Sequence, residues 1–345
     1  MKTINARSLE ILDAVVRLNV ETGRAVSSGL VARLMTTAVS PATIRSEMKK
    51  LEDGGFLEQP HTSAGRLPTD KGYRVFVDRL RSGWALRTRV IPADMRKEAR
   101  RDLDRSVGHP DRIGIMARLL SRLTSNISII VGPSLDSVRA QRVELYPRSS
   151  TRILMVVILD NSQVRTGMVE LTQPQSGTVI QQAASVISER VSGRTVAEIR
   201  GGAVDWVDLV RSPVTRCAAD LLKQGKELFL DTRQGEVQLE GVANVLEEPE
   251  FGDPEPLKAL LRFIESPTAI RDALDRLDKE NSSAVGVWIG QENPLDELRQ
   301  FSMLCGRFDL DGRKGMLAVL GPRRMWYQRA FFGIDALQQV MNITG

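Results

Sequence analysis

Two cysteines and two histidines are all that the 345 residues contain. Cys217 and Cys305 lie far apart, so no disulfide framework or Cys-based zinc site can be built, and a reducing compartment fits. His61 and His109 alone cannot furnish a His-rich metal centre or a Ser-His-Asp triad. There is no run of about 18 apolar residues to cross a bilayer. The first residues show neither the apolar core nor the cleavage site of a secretory signal, so a cytoplasmic location is expected. A Gly-Lys-Ser/Thr phosphate loop and a dinucleotide fingerprint are both missing. Glu292 and Asp296 read as solvated loop residues rather than an acid/base pair. The expectation is a protein that is not an enzyme and needs no cofactor or metal.

Charge is present but uneven. The chain carries 48 Lys and Arg against 43 Asp and Glu, a net of +5. Residues 1–90 hold 15 of these cations and 9 of the acids, so the whole excess sits at that end. A phosphate footprint has this signature. The near-neutral remainder suits a dimerising or sensing body.

Within the basic end, Ser40-Pro-Ala-Thr-Ile-Arg45 opens a helix. Ser40 is a good N-cap, Pro41 suits the first turn, and Gly54-Gly55 stops it. Ile44, Met48 and Leu51 make one apolar stripe. The other face carries Ala42, Arg45, Ser46 and Lys49, with Thr43 and Lys50 at its edges. A slim, hydroxyl-bearing, cationic face is what a major groove admits. A helix over Ala6–Glu21 and a shorter one over Ser28–Met35 precede it. Phe56–Glu58 and Arg66-Leu67 read as paired strands around a polar tip, Pro60–Gly65. Three helices and a hairpin are the winged helix-turn-helix order. His61 and Arg66 flank the wing, and Lys71 follows at the next helix start. His61 stands equally as a DNA contact and as a turn residue. Thr69 caps the next helix, in which Tyr73 reads as a core aromatic rather than a DNA contact.

Beyond it, Arg87–Arg105 reads as a charged connecting helix, broken at Gly108-His109-Pro110. Met116, Leu119, Leu120 and Leu123 mark an amphipathic helix. Ile127–Val131, Arg142–Tyr146, Ile153–Leu159 and Val164–Leu171 read as strands, the third a central strand covered on both faces. Helices are expected at Thr178–Val191, Val196–Gly201, Val214–Lys223, Leu257–Glu265 and Thr268–Leu277, with short strands at Leu228–Leu230 and Val237–Leu239. Strands resume at Ala284–Ile289, Phe301–Leu304 and Gly315–Leu320. Gly321-Pro322 then turns the chain into a helix over Met325–Met341. A sheet interrupted and resumed suggests an inserted domain. The apolar faces of the inserted helices, with little sheet of their own to cover, suggest a two-fold partner. Trp206, Trp288 and Trp326 read as core or interface residues. The arginines of Gly321-Pro-Arg-Arg-Met325 read as locally paired rather than as an anion site.

Four segments, Ser40–Arg45, Leu51-Glu52, Leu57-Glu-Gln-Pro-His-Thr-Ser-Ala-Gly-Arg66 and Pro68-Thr-Asp-Lys-Gly-Tyr-Arg74, resemble the N-terminal signature of the bacterial heat-inducible transcription repressor HrcA family. Ser121-Arg-Leu-Thr124, Leu239–Leu246 with Pro249-Glu-Phe251, Ile289-Gly-Gln-Glu-Asn-Pro294 and Leu320–Met325 extend the resemblance over the chain. Trp84-Ala85 and Trp326 depart from it. The resemblance implies an α+β multidomain protein. A winged helix-turn-helix (1–85) and linker helix (86–110) precede a GAF-like domain (111–177 and 281–345) interrupted by a mostly helical dimerisation domain (178–280). It implies a homodimer that represses chaperone operons at the CIRCE inverted repeat and answers to the GroEL chaperonin. The DNA-binding residues expected are Ser40, Thr43, Arg45, Ser46, Lys49, Lys50, His61, Arg66 and Lys71. The alternative is a regulator whose GAF-like body senses a metabolite.

Overall fold

The computed structural model describes the chain from Ile4 to Met341, apart from residues 36–38, 61–64, 84–92, 107–110, 134–137, 161–163, 202–211, 226–227, 229–236, 247, 249–253, 282 and 311–312. His61, His109, Trp84 and Trp206 therefore lie outside the described residues, as do most of Leu228–Leu230.

Capping residues set the first three helices. The Asn5 side chain accepts the Ser8 amide at the head of α1 (Ala6–Thr22), and Ser27 does the same for α2 (Ser28–Leu34). Ser40 caps α3 (Pro41–Asp53), with Pro41 in its first turn. One orphan N–H of each helix is thereby satisfied. Strands β1 (Leu57–Glu58) and β2 (Leu67–Pro68) are antiparallel, with Leu57 opposite Pro68. Arg66 exchanges two backbone hydrogen bonds of 2.9 Å with Val26, so an isolated β-bridge ties the α1–α2 loop to the base of the hairpin. Gly65 lies so close that a Cβ there would fall 2.4 Å from the Val26 backbone. Only glycine permits that approach. Thr69 caps α4 (Asp70–Ser82), and α5 covers Ala93–Ser106. Ile11, Leu12, Val15 and Val16 of α1 are fully buried in one core with Val31, Ile44, Met48 and Leu51.

After α6 (Arg112–Thr124) and β3 (Ile127–Val131), the chain builds a second compact unit, Pro133–Gly235. Its strands β4 (Ala140–Pro147), β5 (Arg152–Leu159) and β6 (Val164–Glu170) form their own antiparallel sheet in that order. Helices α7 (Gly177–Val191), α8 (Val196–Arg200) and α9 (Pro213–Gln224) follow. Ile180, Ala183, Ile187, Ala218 and Leu221 are buried with Val143, Ile153, Met155 and Val157 of one sheet face. The other face is open: Leu154, Val156 and Ile158 are half-buried, and Tyr146, Val164 and Met168 are 50%, 56% and 51% exposed.

The first unit resumes with β7 (Val237–Glu240), α10 (Val242–Leu246), α11 (Pro254–Ile264), α12 (Pro267–Glu280), β8 (Val285–Ile289), β9 (Phe301–Leu310), β10 (Arg313–Pro322) and α13 (Tyr327–Met341). A five-stranded antiparallel sheet has the order β7-β3-β10-β9-β8. Alternation divides its side chains between two cores. Ile130, Leu304, Leu317 and Val319 pack with α6 and α13. Ile129, Met303, Cys305, Ala318 and Leu320 pack with α11 and α12. Val131 and Val237 pair across β3 and β7, so the second unit leaves and returns at adjacent strand ends.

Three expectations change. Among the described residues, the strands between 140 and 170 pair only with one another, and residues 237–280 belong with the five-stranded sheet. The division therefore falls near 133 and 235, not at 178 and 280. Strand β5 is covered on one face, not two, because among the described residues its sheet has helices on one side only. The apolar faces of α7 and α9 are occupied by that sheet, so the uncovered surface of the unit is the outer sheet face.

Candidate nucleic-acid interface

Helix α3 is two-sided. Ile44, Met48 and Leu51 are buried, whereas Pro41, Ala42, Arg45, Ser46, Lys49 and Lys50 are exposed. Positions 45, 46 and 49 share one face by helical spacing. Arg45 has no ion-pair partner among the described residues. Lys49 reaches Asp53 at 3.1 Å and Glu52 at 3.4 Å. Those carboxylates, Asp53 first, hold its pKa above the ordinary 10.5.

Apart from His61, which lies outside the described residues, the other expected residues hold the fold of this region. The Ser40 hydroxyl accepts the Thr43 amide at 3.1 Å and lies 2.9 Å from the Thr43 hydroxyl, so both side chains are engaged in the cap. Lys50 binds Glu47 at 2.6 Å. Arg66 places Nε and Nη2 at 3.0 and 2.9 Å from Glu52, with its side chain 16% exposed, so it ties the hairpin to the end of α3. Lys71 donates to the Gly54 carbonyl at 2.8 Å and lies 4.2 Å above the Phe56 ring. The structure thus gathers Arg45, Ser46 and Lys49 on one outward face. Ser40, Thr43, Lys50, Arg66 and Lys71 surround and brace it.

Two groups of residues went unread in the sequence. Glu47 is buried on the inner side of α3, where its carboxylate accepts the Ser8 hydroxyl of α1 at 2.7 Å. The Lys50 and Ser8 hydrogen bonds lower its pKa from the ordinary 4.5. Position 47 lies on the 44–48–51 stripe, so a charged residue on an apolar stripe was the available signal. The second group is Asp70 and Arg74 of α4. Asp70 meets Arg323 at 3.0 Å, and Arg74 forms a fork with Glu292. Their i, i+4 spacing shows a shared face but not partners more than 200 residues away. Arg324 pairs with Glu248, so both arginines of the β10–α13 turn have carboxylate partners.

Among the described residues, no group of three or more His, Cys, Asp or Glu side chains is placed to hold a metal ion. No helix among them is long and apolar enough to cross a membrane.

Comparison with known proteins agrees over nearly the full length. Residues 111–331 match the HrcA protein C terminal domain family. The heat-inducible transcription repressor HrcA of Natranaerobius thermophilus is 32% identical, with 99% of this chain and 96% of that protein covered. The protein of the same description from Pelotomaculum thermopropionicum is 31% identical, with 98% and 96% covered. A crystal structure described as a hypothetical protein matches with a TM-score of 0.68 at 23% identity, covering 99% of this chain and all of that one, and shares the fold. By family match and by full-length relatives, the chain belongs to the HrcA family of heat-inducible transcription repressors.

Proposed function

We propose that α1–α4 with the β1–β2 hairpin form a winged helix-turn-helix that reads double-stranded DNA through α3. The observation that carries this is the outward face of Arg45, Ser46 and Lys49 on a helix whose inner face is locked into the core. Arg45 reads a base edge, since an unpaired guanidinium can meet guanine O6 and N7 together. Lys49 meets a phosphate, exchanging its intrahelical carboxylates for the backbone.

The unit Pro133–Gly235 supplies dimerisation, and its open sheet face is the contact surface. Tyr146, Leu154 and Met168 form one cross-strand row there, and Ile158 and Val164 sit at the other end. Burying such a face removes apolar surface from water. Two heads on a two-fold dimer match an inverted repeat, which for this family is the CIRCE operator. The five-stranded sheet with helices on both faces is the GAF-like body. The protein acts in the cytoplasm as a repressor of chaperone operons, under the influence of GroEL.

Footprinting the full-length protein on its own chaperone promoters, with and without chaperonin, tests the reading. Protection of both arms of an inverted repeat, enhanced by chaperonin, is expected. Protection without symmetry refutes the dimeric assignment, and no protection refutes operator binding.

A further inference from the structure

The head is held to the five-stranded sheet by a polar couple with defined geometry. Asp70, at the first position of α4, accepts Arg323 Nη1 at 3.0 Å and the Gln291 backbone N–H at 3.0 Å. One turn later, Arg74 donates through Nε to Glu292 Oε1 at 2.9 Å and through Nη2 to Glu292 Oε2, and Nη2 also donates to the Val287 carbonyl at 2.6 Å. Glu292 is fixed in turn by the Ile289 N–H at 2.9 Å. Gly290 has a φ of 55°, and a Cβ there would lie 2.1 Å from Asp70, so this turn accepts the carboxylate only because the residue is glycine. Beside the couple, the Tyr73 hydroxyl donates to Asn19 of α1, while its ring lies 6.2 Å from that of Tyr327 on α13.

Apolar contacts of α4 with the sheet unit are non-directional and tolerate small rotations. A two-toothed guanidinium–carboxylate fork does not, because both N–H···O vectors must be kept at once. Helix α4 touches α1, and α1 carries α3 through the shared core. The orientation of α4 on the sheet is therefore the orientation of the reading helix.

We infer that Asp70, Arg74, Glu292 and Arg323 are positioning residues that set the angle of the reading head, and with it the half-site spacing the repressor accepts. This rests on the two-headed reading above. None of the four lies on the outward face of α3, so the reading contacts are untouched when the couple is broken.

The test uses full-length protein, Glu292→Ala, Glu292→Gln and Asp70→Asn. Affinity is measured on one half-site and on inverted repeats whose spacer is changed one base pair at a time. In Glu292→Ala the half-site affinity stays at the parent value, while the preference for the best spacer over the others falls by roughly fivefold or more. Asp70→Asn does the same, and Glu292→Gln, which keeps one acceptor, recovers part of the preference. A merely structural role lowers half-site and repeat affinity together, and that result overturns the inference. So does a Glu292→Ala protein with the parent's spacer profile. A parent without any spacer preference refutes the two-headed reading, and the inference falls with it.

Discussion

Ser8→Ala should loosen the reading helix without touching its outer face. The Ser8 hydroxyl donates to the buried Glu47 carboxylate at 2.7 Å, and Lys50 is the carboxylate's other side-chain partner. Lys50 is 63% exposed in its side chain, so the hydroxyl is the contact shielded from water. A hydrogen bond to a charged group contributes about 1.5–3 kcal/mol, most of it lost when a buried acceptor goes unsatisfied. By the same scale, α3 amides that exchange through local opening should exchange about 10- to 100-fold faster. Glu47→Ala should cost less, because it removes the buried charge and leaves a hydroxyl that can turn to a carbonyl of its own helix. The double variant should then resemble Glu47→Ala, which exposes the coupling in a cycle. The pH dependence has a defined sign. Glu47 has its pKa lowered from 4.5, so its stabilisation is complete above that value and is lost as pH falls through the lower, folded-state value. Parent and Ser8→Ala should therefore converge in acid once intrinsic exchange is corrected. Hydrogen exchange read by mass spectrometry over α1 and α3 measures all of this. Unchanged α3 protection in Ser8→Ala at neutral pH would refute the reasoning.

Four further outcomes follow from the structure. Arg45→Ala should lose about 1–3 kcal/mol of specific affinity with little change on random DNA, and Lys49→Ala should lower the slope of log affinity against log salt by about one; filter binding over a salt series separates the two. Replacing residues 133–235 by a two-residue turn should leave a monomer by light scattering, whereas a dimer at micromolar concentration places the interface elsewhere. Burial pushes the thiols of Cys217 and Cys305 up to about 11 and about 12, so both stay protonated at pH 8 and should resist alkylation in the folded protein but react once it is unfolded.

Much of the head was legible because its signals are local. Ser40 and Thr69 announce helix starts by their own chemistry, Pro41 fixes the first turn of α3, and Ile44, Met48 and Leu51 mark its inner face. Strand membership is a different kind of information. Ile153–Leu159 is apolar throughout and reads as a strand, but nothing in it says that it joins Arg142–Tyr146 and Val164–Glu170 rather than Ile127–Val131. The sites divide in the same way. Arg45 and Lys49 could be placed on a face from spacing alone. Arg66 looked like a free wing cation because its partner Glu52 lies 14 residues back, across a turn whose geometry spacing does not reveal. Asp70 and Arg74 looked like ordinary helix charges for the same reason.

The pairing of Val131 with Val237 makes the second unit, topologically, the loop of a β-hairpin. A tight turn between such strands needs only two residues; here roughly 100 intervene. If they were a random chain, closing that hairpin would cost about 3.5 kcal/mol more than closing a two-residue one, from the logarithmic growth of loop entropy. A unit already folded, with its exits side by side, removes most of that penalty. The edge strand β7 pairs with β3 at low entropic cost only once everything between the two strands has condensed. A lesion confined to the core of the second unit, at Met155 or Leu221, should therefore also be felt in the first, as fraying of β7 from the sheet that bears the reading head.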